Sequence, residues 1–279
     1  MSSSPSARPP SVQDPSLENL RRTATRIRLH ATRMVAIQGF GYLGQALSSA
    51  DILAVLFAGV MRPGVDRFVM SPGHYVIALY AAAVEAGLLE EAALATYGAD
   101  GSRLEAIGTE RTPVADLVCG SLGQGLSGAI GFALAEHLAG TGATTFAFLS
   151  DGEMEEGQVW EAAMFASHHR RRMGRLVVVV DANNSQVDGP VTSVTTIEPL
   201  AEKWRAFGWR TADVDGHDVA ALHHALSVPP PDGQPLAVIA RTDILGRVRA
   251  LPPSLDGHFV KLDAALTRAL TEELEAALA

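Results

Sequence analysis

The chain has 279 residues, 47% of them hydrophobic, with a mean hydropathy of +0.15 and one cysteine. That length makes one large domain or two small ones, and the lone Cys119 excludes an intrachain disulfide and fits a reducing, cytoplasmic setting. A formal charge of −9 argues against nucleic acid, and no run of 18 uncharged apolar residues offers a membrane span, so the apolar surplus is expected in a core and a protein interface.

Residues 1–17 are rich in Ser and Pro, and are expected to form an unstructured arm ahead of a single domain over residues 18–279. Leu17 to Val35 has the pattern of a basic amphipathic helix with His30 on its surface. Gln38 to Gly44, QGFGYLG, is a glycine-rich turn, which alone is weak evidence for a phosphate site. A helix follows from an N-cap at Ser49, with Asp51 in its first turn, through Gly59. Asp66 to Met70 is a short strand, and Ser71-Pro72-Gly73-His74 leads into a helix over Tyr75 to Ala86. At that junction His74 is equally a donor to a phosphate or a polar residue facing water. Gly120-Ser121-Leu122-Gly123-Gln124-Gly125 precedes a small-residue helix, Leu126 to Ala139, suited to close packing in a core or between subunits.

The stretch from Thr144 to Gly189 organises the rest. Thr144 to Leu149 is a buried strand, Ser150-Asp151-Gly152 breaks it, and Glu153 to His169 is a helix. A second buried strand, Leu176 to Val180, ends in Asp181-Ala182-Asn183-Asn184. Open parallel sheets bind ligands outside their carboxyl strand ends. There Asp151, Asn183 and the Ser185 carbonyl make an all-oxygen nest suited to a hard divalent cation that would bridge a diphosphate. Gly152 lets the backbone approach the phosphates. Arg170-Arg171-Arg172 with Arg175 fits a solvated helix end. Beyond it come a helix over Glu198 to Phe207, a strand over Trp209 to Val214, and a helix capped by Asp218, with His217 structural. A last strand, Leu236 to Ala240, a loop over 241–261 and an amphipathic helix over Leu262 to Leu278 close the chain. The expected fold is α/β, a parallel sheet flanked by helices on both faces.

Several of these segments, in order over residues 18 to 262, resemble the N-terminal domain of transketolase, which holds the diphosphate of thiamine diphosphate. They are Arg67-Phe68-Val69 with Ser71-x-Gly73-His74, Gly120-x-Leu122-Gly123-Gln124-Gly125, and Asp151-Gly152-x-x-x-Glu156-Gly157-x-x-x-Glu161-Ala162. Asp181-x-Asn183, Asp188-Gly189 and Asp215-Gly216-His217-Asp218 follow. The thiamine-diphosphate motif itself, Gly-Asp-Gly and then Asn, is present with Ser150 for its first Gly and 30 residues between Gly152 and Asn183.

The resemblance implies a thiamine-diphosphate-binding fold with Mg2+, or Ca2+ or Mn2+, on Asp151, Asn183 and the Ser185 carbonyl. It implies cofactor contacts from His74, Gly152, Glu153 and His258, and from Gly120, Ser121 and Leu122 toward the aminopyrimidine. His258, His74 and Glu156 would serve the chemistry. Glu156, with Glu161, would join a carboxylate network between two active sites; on residue type alone both are equally surface groups. Tyr42 and His258 would face the substrate. Three departures stand out: Tyr42 replaces a substrate-contacting histidine, Ala106-Ile107-Gly108 stands where a second histidine belongs, and Gly246-Arg247-Val248 replaces a Gly-x-Gly loop before His258. The first two leave a cofactor site beside an altered sugar pocket.

The family's pyrimidine-binding and C-terminal domains have no counterpart in these residues. The resemblance therefore implies the N-terminal subunit of a split transketolase, completed by a partner carrying those domains in an α2β2 assembly. It would transfer a two-carbon ketol unit from a sugar or sugar-phosphate ketose to an aldehyde. The alternatives are a subunit resembling deoxyxylulose-phosphate synthase or 2-oxo-acid dehydrogenase, and a non-catalytic cofactor-binding scaffold. A generic nucleotide-binding domain is the fourth, against which no dinucleotide-type glycine fingerprint follows the first strand.

Overall fold

A computed structural model describes residues 15–228 and 233–279. Its centre is the pair of β-branched and apolar runs that the sequence marks as buried. β1 (Phe40–Gly41), β2 (Arg67–Pro72), β3 (Leu117–Cys119) and β4 (Thr144–Ser150) are followed by β5 (Arg175–Ala182), β6 (Arg210–Asp215), β7 (Leu236–Arg241) and β8 (Val260–Lys261). Six of them form one parallel sheet in the order β3-β2-β4-β5-β7-β6. Every residue of β4, and every residue of β5 after Arg175, is buried, as strands covered on both faces must be.

The helices are α1 (Leu17–Gln38), α2 (Leu43–Val55), α3 (Val76–Glu85), α4 (Gly125–Ala139) and α5 (Gly157–His169). α6 (Val191–Val194), α7 (Leu200–Ala206), α8 (Val219–Ser227) and α9 (Ala264–Ala276) complete the set. Strand alternation sends Phe146, Phe148, Val177 and Val179 into one core, with α1, α2, α3, α8 and α9. It sends Ala147, Leu149, Val178 and Val180 into the other, with α4, α5 and α7. Each fully buried Leu, Val or Phe stabilises these layers by about 1.5–3 kcal/mol. The register pairs Thr144 with Arg175 through Ser150 with Asp181, so β4 and β5 end level. That sets the Asp151 and Asn183 segments side by side.

Several expectations are corrected. His30 is not on the surface: it is 7% exposed, and its Nε2 lies 3.1 Å from a Glu85 oxygen that shares its carboxylate with Arg26. The reason is that α1 packs against α2, α3 and α9, so its basic side meets acidic partners instead of water. Helix α2 starts at Leu43, not after a cap at Ser49. Ser49 lies within it, its hydroxyl returned to the Gln45 carbonyl at 2.5 Å, and Asp51 is a buried partner of Arg28 and His217. Leu43–Val60 has the length and hydropathy of a membrane span, but 83% of it is buried in the fold and it is the core helix beside the sheet. The short edge strand β3 was not expected, and the loop over 241–261 ends in β8, which pairs antiparallel with β1. Of the arm expected over residues 1–17, residues 1–14 lie outside the described residues; Ser16 caps α1, accepting from the Asn19 N–H at 3.1 Å.

Candidate functional site

At the end of β4 the Asp151 N–H donates to the Asp181 carbonyl at 3.1 Å, and the Asp151 side chain is left only 3% exposed. Asp151 Oδ1 accepts the Gly152 N–H at 2.9 Å, and Oδ2 accepts the Asn184 N–H at 2.6 Å. Asn184 has φ 58, a left-handed turn that Asn tolerates, and it brings the chain after β5 back to the end of β4. Asn183 Nδ2 donates to the Tyr75 hydroxyl at 2.9 Å and to Asp181 Oδ2 at 3.0 Å, while its Oδ1 accepts the Ser185 N–H at 2.9 Å. Asp181 is the hub: its Oδ2 also accepts the Ser48 hydroxyl at 2.6 Å and the Tyr75 hydroxyl at 3.0 Å, and its Oδ1 accepts the Thr242 hydroxyl.

The sequence reading gave this hub no role. Asp181 and Asn183 are two apart on a strand and therefore share a side, a signal that period-2 geometry carries. Ser48, Tyr75 and Thr242 come from distant segments and leave no local signal.

Burial, with the charge of Asp181 added, pushes the Asp151 carboxyl up to about 7. Two carboxylates are thus packed together at a strand edge where negative charge is in excess, and a divalent cation there would relieve it. Each Asp151 oxygen, the Asn183 Oδ1 and the Ser185 carbonyl retain lone pairs, an oxygen donor set that suits Mg2+ with phosphate and water completing the shell. Among the described residues no group of three or more His, Cys, Asp or Glu is placed to hold a metal, so a cation at this edge would depend on an amide and a carbonyl beside the one carboxylate.

Next to Gly152 and Ser185 opens a cleft of about 430 Å³ that also touches Tyr42, His74, Gly120 and His258. Leu122, Ile107 and Glu156 border it too. Residues proposed from six separate stretches of sequence therefore converge. Among the described residues no Lys or Arg lines the cleft, whereas Glu155, Glu156 and Asp188 do. His74 and His258 stand with ring centroids 5.5 Å apart, and Tyr42 lies 5.3 Å from His74 and 5.9 Å from His258. Burial, reinforced by His258, holds His74 down at about 3; burial also lowers His258, with Asp256 opposing. Both imidazoles are neutral at physiological pH.

The His258 wall depends on a backbone approach. A Cβ on Gly44 would overlap the Gly257 carbonyl oxygen, so only glycine lets α2 meet the loop that carries His258. The altered Gly246-Arg247-Val248 segment still turns, with Gly246 at φ 64 and Arg247 at φ 59.

Not every expected residue faces the cleft. Glu153 turns inward, fully buried, where its oxygens accept the Ser71 hydroxyl, the Gly123 N–H at 2.8 Å and the Ser150 N–H at 3.0 Å. It ties three strand-end segments together, and its full burial keeps it off the wall of the cleft. Ser121 is an exposed loop residue beside Gly120 and Glu161 is exposed on α5, both away from the cleft, whereas Glu156, also exposed, borders it.

Residues 20–274 match the family described as "Transketolase, thiamine diphosphate binding domain". This chain belongs to the transketolase family. It is 42% identical over 256 residues to a transketolase family protein of Sinorhizobium fredii, covering 88% of this chain and 91% of that one. It is 35% identical over 271 residues to the 6-deoxy-6-sulfo-D-fructose transketolase subunit SqwG of a Clostridium species, covering 92% and 96%. Against human transketolase the identity is 35% over 235 residues, but the match spans only 37% of that protein. The crystal structure of Campylobacter jejuni transketolase superposes with a TM-score of 0.82 at 25% identity, over 92% of this chain and 43% of that one. The described fold is thus the thiamine-diphosphate-binding domain of the transketolase family, and the matched part is only a fraction of the full-length transketolases.

Proposed function

We propose that this chain is the cofactor-binding subunit of a two-chain transketolase, active when a second chain supplies the pyrimidine-binding and C-terminal domains, with two copies of each. The observation that carries this reading is the convergence of Asp151, Asn183 and Ser185 beside the cleft bordered by His74, Gly120 and His258. Two relatives match nearly end to end, one of them called a subunit, while full-length relatives extend well beyond the matched part. Both facts support division of the enzyme between chains.

In this reading Asp151, the Asn183 amide oxygen and the Ser185 carbonyl hold Mg2+ against the diphosphate, and Gly152 gives it a close backbone approach. Thiamine diphosphate, when bound, supplies the electron sink for breaking and making a carbon–carbon bond next to a carbonyl. Gly120 and Leu122 lie along its length. Neutral His74 and His258 hold hydrogen bonds to oxygens of cofactor and substrate without adding charge. Glu156, at the rim, reaches toward a second site across an interface. Tyr42 puts a phenol where an imidazole would serve, and Ile107 puts an alkyl group in the cleft. The substrate is therefore a ketose and aldehyde pair whose part next to this chain is less hydroxylated than an ordinary pentose phosphate. With no Lys or Arg in the cleft, any phosphate or sulfonate on the substrate must be anchored by the partner.

Calorimetric titration of thiamine diphosphate with Mg2+ tests the reading, on this chain alone and with a chain carrying the pyrimidine-binding and C-terminal domains, beside Asp151→Ala. Metal-dependent binding lost in the variant is expected. If the complete pair binds no cofactor, the chain is a scaffold and the catalytic reading is wrong.

A further inference from the structure

Gln45 stands one turn into α2, 1% exposed, directly after the Gly44 contact that brings the His258 loop against the helix. Its Nε2 lies 3.0 Å from His258 Nδ1. In the orientation the structure gives the amide, its nitrogen donates, so Nδ1 accepts and the one ring proton of a neutral imidazole sits on Nε2. The amide's other atom, Oε1, is buried with no partner, so His258 is the only hydrogen-bond partner of this side chain among the described residues. Nothing in the packing of α2 calls for an amide here; its neighbours Leu43, Ala46 and Leu47 are apolar core. An amide kept in a core with an unmet acceptor is destabilising, and its one hydrogen-bond contact is to a residue of the cleft.

We propose that Gln45 is a positioning residue that fixes His258 as the Nε2–H tautomer, making it a neutral hydrogen-bond donor toward the cleft. The inference rests on the functional reading above and refines it: His258 offers a proton to an oxygen on which charge develops and does not remove one from carbon. A donor aimed at developing negative charge contributes more in the transition state than in the ground state. The other groups around the ring fit this role. His74 is held neutral by burial, the Tyr42 ring stands nearly perpendicular to the imidazole, and one oxygen of Asp256 accepts the His258 backbone N–H at 2.9 Å.

Long-range proton–nitrogen correlation spectra of the histidine-labelled full chain at neutral pH read the tautomer directly, with His258 assigned by its loss in His258→Gln. Wild type is expected to show an unprotonated Nδ1 and a protonated Nε2. In Gln45→Glu, whose carboxylate only accepts, the proton is expected on Nδ1; in Gln45→Met the two forms are expected to average. In the assembled enzyme Gln45→Met should lower kcat tenfold or more with KM within twofold, and Gln45→Glu should not rescue it. A wild-type His258 with its proton on Nδ1, or a Gln45→Met spectrum equal to wild type, overturns the proposal. The spectra need no turnover, so failure of the transketolase reading and failure of this one are separate results. If the variants do not fold, the wild-type spectrum alone decides.

Discussion

Asp151 and Asp181 end neighbouring strands and share one backbone hydrogen bond, from the Asp151 N–H to the Asp181 carbonyl, yet their side chains face opposite demands. Asp181 accepts four side-chain donors, from Ser48, Tyr75, Asn183 and Thr242. Asp151 accepts only two backbone N–H groups and keeps lone pairs free. One carboxylate is committed to architecture, and the other keeps acceptor capacity at the strand edge.

That division predicts the outcome of Asp181→Asn. The new amide puts a donor among groups that all donate, and we expect a loss of about 2–3 kcal/mol in urea unfolding. Weaker Mg2+-dependent cofactor binding should accompany it, because Asn183 loses its orientation. An unchanged urea midpoint would show that the hub does not hold the site together.

His74 makes stability fall in acid. Its folded value of about 3 lies below the unfolded value near 6.5, so only the unfolded chain takes up its proton between those limits. Stability is therefore complete above about pH 6.5 and declines toward pH 3, by at most about 1.4 kcal/mol per pH unit. His74→Gln should lose less stability than wild type between pH 7 and 5, measured by denaturant unfolding at both. Equal losses would mean that His74 is free to ionise in the folded protein.

Gly44→Ala places a methyl group against the Gly257 carbonyl and should cost about 1–3 kcal/mol while shifting the His258 signals. Gly131→Ala in α4 is the contrast: its added Cβ meets nothing within 4 Å, and we expect a gain of about 0.5–1 kcal/mol. Thermal melts of both variants check the pair, and a stable Gly44→Ala would refute the tight approach.

Tyr42→His returns an imidazole to the cleft wall. With the partner present, kcat/KM for a hydroxyl-rich pentose phosphate donor should rise about tenfold, the worth of one hydrogen bond of about 1.4 kcal/mol. Steady-state rates on that donor decide it, and no gain would place substrate choice elsewhere.

Much of this was legible from the chain. The continuous apolar runs of β4 and β5 declare strands buried on both faces, and the strand-end residues Asp151 and Asn183 follow from them. What stayed hidden depends on distance. His30 looked exposed because a basic helix pattern does not reveal that Glu85, 55 residues on, will cover it. Glu153 was expected at the cleft because it follows Asp151 and Gly152 in the chain; its commitment to Ser71, Gly123 and Ser150 depends on how three strand ends meet. Edge strand β3, three residues long, is too short for periodicity to register.

The pairing of β1 with β8 joins Phe40 to Lys261 and Gly41 to Val260. Tyr42 follows one strand and His258 precedes the other, so the wall they share cannot close until both segments have left the ribosome. At about 5–20 residues per second that interval is tens of seconds. β7, at Leu236–Arg241, emerges only shortly before His258, so the sheet and the wall of the cleft are completed almost together. The wall that Tyr42 and His258 share is thereby among the last parts of the molecule that synthesis can complete.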